Sequence, residues 1–68
     1  MKKLDARGLS CPEPVIMLRK AMMSREAAYE ITVDNPTSKE NVTRYGEHQG
    51  YTVSVREQGG EYTLVMTK

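Results

Sequence analysis

Sixty-eight residues with no tryptophan, no phenylalanine, one cysteine, one histidine and three prolines leave few ways to build or use a fold. A chain of this size buries only about 60% of the surface its unfolded form exposes, so its stability is modest. The lone Cys11 excludes an intrachain disulfide, and without large aromatics the core must come from ordinary sheet and helix packing. One cysteine and one histidine, His48, cannot close a zinc site, which takes four protein ligands, so no metal and no cofactor is expected. Nothing in the opening Met1-Lys2-Lys3-Leu4-Asp5 is apolar enough for a signal peptide or membrane span, and a lone thiol suits a reducing compartment. A cytoplasmic protein with no membrane association is the expectation. The formal net charge of +1 arises from intermixed acids and bases. The basic footprint of a nucleic-acid binder is therefore missing.

What is present is regular alternation of two periodicities, read as a single domain spanning residues 1–68. Lys3 to Ala6 reads as a short strand ending at Gly8, where a left-handed turn can redirect the chain. From Pro12 to about Ser24, Val15, Leu18, Ala21 and Met22 recur at helical spacing and predict an amphipathic helix. Tyr29, Ile31 and Val33 alternate with Glu30, Thr32 and Asp34, as a half-buried strand requires. Asn35 can then cap a helix that Pro36 opens, running to about Gln49 with Val42, Tyr45, Gly46 and Gln49 inward. Gly50 stands where a left-handed C-terminal cap belongs.

A two-residue turn at Gly59-Gly60 predicts a closing hairpin. In that register Gln58 faces Glu61, Glu57 faces Tyr62, Val55 faces Leu64 and Val53 faces Met66. All the apolar members then share one face, which a slip of one residue would destroy. The fold class is α/β (α+β): a β-α-β-α-β-β chain forming a two-layer sandwich. It has a mixed four-stranded sheet, with helix crossovers favouring parallel neighbours, and both helices on one face.

The chemistry concentrates at Ser10-Cys11-Pro12-Glu13-Pro14. A thiol at a helix start meets free N–H groups and the positive end of the helix dipole, which favour the thiolate. Pro12 and Pro14 stiffen the tip but remove two N–H donors, leaving chiefly those of Glu13 and Val15 to face the sulfur, and the Glu13 carboxylate opposes ionisation. A lone cysteine is more often a small buried hydrophobe. A polar, proline-flanked tip argues against that here, because loops run over the surface. No second cysteine stands at dithiol spacing, so any partner sulfur comes from another molecule. His48 reads as a solvated histidine remote from Cys11. Arg7, Arg19, Lys20 and Arg25 read as solvated charges, with Arg19 and Lys20 held as docking candidates. Ile16 and Met17, beside the core stripe, are candidates for apolar contact with a partner.

The run Leu4-Asp5-Ala6-Arg7-Gly8-Leu9-Ser10-Cys11-Pro12-Glu13-Pro14-Val15 resembles the N-terminal signature of the TusA/SirA/YedF sulfur-carrier family, whose hallmark is Cys-Pro-x-Pro opening the first helix. Val33-Asp34-Asn35, Lys39-Glu40-Asn41-Val42 and Gln49-Gly50-Tyr51 resemble the YedF-type branch associated with selenium metabolism, whose members often carry a second domain. The resemblance implies a sulfurtransferase-like persulfide relay. Cys11 would accept sulfur from a cysteine desulfurase or other donor and pass it to an acceptor protein, serving tRNA thiolation, cofactor synthesis or selenium handling. It implies Gly8, Pro12, Glu13 and Pro14 as the motif's frame and Arg19 as a position that meets partners, while Ile16 and Lys20 stand as partner-binding candidates on the residue reading above. Two other readings are weighed beside it: a non-catalytic selenium-metabolism or regulatory module of the same fold, and a nucleic-acid-binding domain.

Overall fold

The computed structural model describes residues 2–10 and 12–68. Four strands and two helices follow one another as β1 (Lys2–Asp5), α1 (Glu13–Ala21), β2 (Ala28–Val33), α2 (Pro36–His48), β3 (Thr52–Gln58) and β4 (Glu61–Thr67). A single 3₁₀ turn, Met22–Ser24, extends α1 at its C-terminal end, so the helix expected to reach Ser24 tightens after Ala21. The strands form one sheet in the order β1-β2-β4-β3. β1 runs parallel to β2, while β4 is antiparallel to both β2 and β3. The sheet is therefore mixed. The crossover through α1 joins neighbours; the crossover through α2 does not, because β4 lies between β2 and β3.

Local signals account for the elements. Asn35 Oδ1 accepts the Ser38 N–H at 2.8 Å, the side-chain cap expected ahead of Pro36. At the other end of α2, Gly50 has a φ of +88°. There the Tyr51 N–H donates to the Gly46 carbonyl and the Gly50 N–H to the Glu47 carbonyl, each at 3.0 Å. That pair of bonds is a Schellman cap. The hairpin has the register read from the sequence, with Val53 opposite Met66 and Val55 opposite Leu64. Its two turn glycines have φ of +59° and +82°, the doubly left-handed turn whose twist matches antiparallel strands.

The core lies between the sheet and the helical layer. Tyr29, Ile31 and Val33 from β2 and Leu64 and Met66 from β4 are fully buried against Leu18 of α1 and Val42 of α2. The helices pack on each other, α1 against β1 and α2 against β3 and β4. Of the expected inner positions, Val15, Met22 and Tyr45 pack against the core but stay half-buried, and Pro14, which shares a face with Leu18 and Ala21, is fully buried beside them. Gln49 is exposed and Ser38 is buried in its place, since α2 ends at His48 and its first turn faces the core.

Candidate functional site

The segment between β1 and α1 is anchored from three sides. β1 hands over through Ala6, which is fully buried and donates its N–H to the Thr32 carbonyl at 2.8 Å, continuing the parallel ladder past the last strand residue. Arg7 then folds back on Asp5 as a bidentate pair, Nε to Oδ1 at 2.9 Å and Nη2 to Oδ2 at 2.8 Å, while Nη1 reaches Oε2 of Glu61 at 3.3 Å. The planar guanidinium matches the carboxylate with two parallel hydrogen bonds. Bonding from the Arg7 side chain, with a further bond from its backbone N–H, lowers the Asp5 pKa from 3.8 to about 2. Arg7 is exposed, as expected of a solvated charge, and its guanidinium also pairs the β1 end with the start of β4.

Gly8 is the second anchor. Its φ of +79° redirects the chain, and its N–H donates to Oδ2 of Asp34 at 2.7 Å. Asp34 follows β2 directly, and its other oxygen lies 3.4 Å from Nδ2 of Asn35, the residue that caps α2. The turn before α1 is thus tied to the turn before α2.

The third anchor is the helix start. Pro14 is buried against the core layer, whereas Ser10, Pro12 and Glu13 are exposed. The Glu13 N–H donates to the Ser10 carbonyl at 2.9 Å, and the Ile16 N–H to the Pro12 carbonyl at 3.1 Å. This corrects one expectation. With Pro12 and Pro14 lacking N–H groups and that of Glu13 already bonded to Ser10, at most the Val15 N–H of the first three helical positions can face an anion. Cys11 itself lies outside the described residues.

The other sequence candidates distribute around α1. Ile16 is 36% exposed, and Arg19 and Lys20 are exposed. Met17 is half-buried beside the core. Val15 and Arg19 share one stripe at four-residue spacing, while Glu13, Met17 and Lys20 share another. Ile16 lies three residues before Arg19 and four before Lys20, so the three exposed candidates adjoin one another on α1. Sequence reasoning set His48 aside as remote. The packing of α1 on α2 brings it to the same groove as Val15, together with Asn41, Arg44 and Tyr45. Asp5 and Asp34 were also missed as shapers of the loop, although both stand inside the motifs singled out. The available signal was their position one residue past a strand or at its end, ahead of a turn.

A family model described as sulfurtransferase TusA matches residues 2–68. The chain belongs to the TusA family. A Methanocaldococcus jannaschii protein whose name marks it as a proposed sulfur carrier is 40% identical over 60 residues, covering 85% of this chain and 80% of its own. The crystal structure of a SirA-like protein from Desulfitobacterium hafniense superposes with a TM-score of 0.89 at 32% identity, covering 98% of this chain and 96% of that one. The TusA-family match thus spans both helices and all four strands, and the fold is shared throughout. Among the described residues, no helix is long and apolar enough to cross a membrane.

Proposed function

We propose that this TusA-family chain is a sulfur carrier and that Cys11 carries the sulfur as a persulfide. The Cys11 thiolate attacks the terminal sulfur of a persulfide on a donor protein. The donor's S–S bond breaks, the donor cysteine leaves as a thiolate, and a new S–S bond forms on Cys11. In the second step a nucleophile of an acceptor protein attacks that terminal sulfur and the Cys11 thiolate leaves. Both steps are thiol exchange at sulfur, with no external oxidant or reductant.

The observation that carries the reading is the way the flanks of Cys11 are held. Ser10 and Pro12 are exposed, yet the loop is fastened by Arg7 to Asp5 and Glu61, by Gly8 to Asp34, and by buried Pro14. A carrier needs an outward-facing tip, because two different proteins must reach the same atom, and a stiff one, because a fixed approach lowers the entropic cost of each exchange. The absence of any other cysteine from the sequence keeps the sulfur from being expelled by an internal disulfide.

The test is loading with a cysteine desulfurase and L-cysteine, followed by mass spectrometry of the intact protein. The expected result is a gain of one sulfur atom, located on Cys11, removed by a reductant and lost in Cys11→Ser. A protein whose mass stays unchanged under conditions that load a known carrier would overturn the proposal.

A further inference from the structure

The two edges of the sheet differ in character. β1 is four residues long and carries exposed Lys2 and Lys3, the short, lysine-bearing form that keeps an edge from pairing. β3 has seven residues, pairs with β4 in unbroken register from Thr52 to Gln58, and contains no proline, lysine or bulge. It is exposed almost throughout, and Val55, on the helix side opposite buried Leu64, remains 45% exposed. The hydrogen bonds of the sheet fix where the β3 backbone points. The Ala6 N–H bonds the Thr32 carbonyl on the β1 side, and the Lys68 N–H bonds the Ala27 carbonyl on the β4 side. Odd residues of β2 and even residues of β4 therefore bond each other. Thr63, Val65 and Thr67 are left to bond β3, where they face Arg56, Ser54 and Thr52. The backbone N–H and C=O groups of Val53, Val55 and Glu57 thus point to the open edge.

A row of outward donors and acceptors on a rigid strand is a template for another strand. We propose that β3 pairs antiparallel with β3 of a second copy of this chain, about a two-fold axis at Val55, so that the two sheets become one. In that register Val55 meets the partner's Val55, Val53 meets the partner's Glu57, and Ser54 meets the partner's Arg56. Every outward-pointing residue then faces another, and the three pairs exchange about six hydrogen bonds. Neighbouring registers are worse. An axis at Arg56 sets two guanidinium groups face to face, and an axis at Ser54 leaves Glu57 beyond the end of the partner strand. A second copy is favoured over an extended segment of another protein because both strands are already held by their own sheets, so pairing orders little backbone, and because the exposed Val55 is covered by its own equivalent. The two β1–α1 loops lie at opposite ends of the joined sheet. Both stay open, and the proposal stands independently of the carrier reading.

The test is sedimentation equilibrium of the full chain over a concentration series, with a reductant present so that no disulfide through Cys11 contributes. The mass should pass from one chain to two as concentration rises. Val55→Lys sets like charges on the axis and should raise the midpoint concentration by about ten-fold or more. Ser54→Glu opposes the partner's Arg56 and should lower it several-fold, whereas an axis at Ser54 would make the same change weaken the dimer. Lys2→Glu, on the other edge, should leave it unchanged. Lys2, Ser54 and Val55 are exposed, so the single chains are expected to keep their fold, which urea unfolding at low concentration checks. Amide exchange gives a second readout. Protection at Val53, Val55 and Glu57 should grow with concentration, while that at Ser54 and Arg56, already bonded to β4, stays the same. A single-chain mass at every concentration up to about 1 mM would overturn the proposal. So would a dimer that Val55→Lys leaves intact or that Ser54→Glu weakens. Protection of the three outward amides by a cysteine desulfurase but not by more of the chain itself would also overturn it, because the edge would then belong to that protein.

Discussion

The carboxylate of Asp34 accepts the backbone N–H of Gly8 at 2.7 Å across a sequence separation of 26 residues. This bond joins the end of β2 to the turn that presents the Cys-Pro-x-Pro motif, and through the neighbouring Asn35 cap it links both helix starts. Asp34→Ala is expected to cost about 1 kcal/mol of stability, the ordinary worth of one hydrogen bond in a partly solvated site. Asp34→Asn, which keeps an acceptor oxygen, should cost less. Urea unfolding measures both, and hydrogen exchange at the Gly8 amide should quicken in the alanine variant well before global unfolding. An unchanged Gly8 exchange rate would show that the bond does not hold the loop.

The pairing of Asp5 with Arg7 makes a pH-dependent contribution whose sign is fixed. Asp5 has a folded-state pKa near 2 against an ordinary 3.8, so the folded state binds the proton less readily than the unfolded chain. Its contribution is therefore complete above about pH 4 and is lost as the pH falls toward 2. Arg7→Gln should return the Asp5 carboxyl toward its ordinary range, read by NMR titration of that side chain. The same substitution should flatten the acid-range stability slope by lowering stability above about pH 4 and leaving it unchanged near pH 2, and the loss is small because both groups are exposed and screened by solvent.

Gly46 is required by a close approach. A Cβ at that position would stand 2.9 Å from Met66 Sδ and 3.1 Å from Val53 Cγ2. Met66 is fully buried, so its sulfur cannot swing away into solvent. Gly46→Ala gains helix propensity of up to about 1 kcal/mol but overpacks the α2–sheet contact at about 1–3 kcal/mol. A net loss of about 1–2 kcal/mol is expected in thermal or urea unfolding, and a stabilised variant would show that α2 can lift from the sheet at little cost.

Tyr29 has a polar duty inside the core. Its ring is fully buried, and its hydroxyl oxygen accepts the Glu26 N–H at 2.9 Å and lies 3.3 Å from Ser24 Oγ. Tyr29→Phe keeps the packing and strands that N–H, so a loss of about 1–2 kcal/mol is expected. The effect should appear as faster hydrogen exchange in the Arg25–Ala28 connection and leave Cys11 alkylation unchanged, since the connection follows the C-terminal end of α1 and the motif opens its N-terminal end.

Several features were legible because they depend on neighbours in the chain. The Gly59-Gly60 hairpin register follows from alternation on both sides of one turn, and the Asn35 and Gly50 caps follow from residue types that satisfy helix ends within a few positions. The family, too, was readable from the residues around Cys11. What was illegible is non-local. Alternation tells which face of a strand is buried but not which strand lies beside it, so the expectation that helix crossovers join parallel neighbours held for β1 and β2 but failed for β2 and β3, between which β4 lies.

The amino-acid sequence by itself determined the elements, their caps, the hairpin register and the single thiol around which any sulfur chemistry must turn. Only the tertiary structure decided that Asp34 would hold Gly8, that Arg7 would be consumed by Asp5 and Glu61, and that Arg44 and His48 would border the groove at Val15. The physical reason is one of range. Dihedral preference and side-chain periodicity act over a turn or a strand, whereas a charge or a hydrogen-bond donor acquires its partner only when packing brings distant segments within a few ångströms.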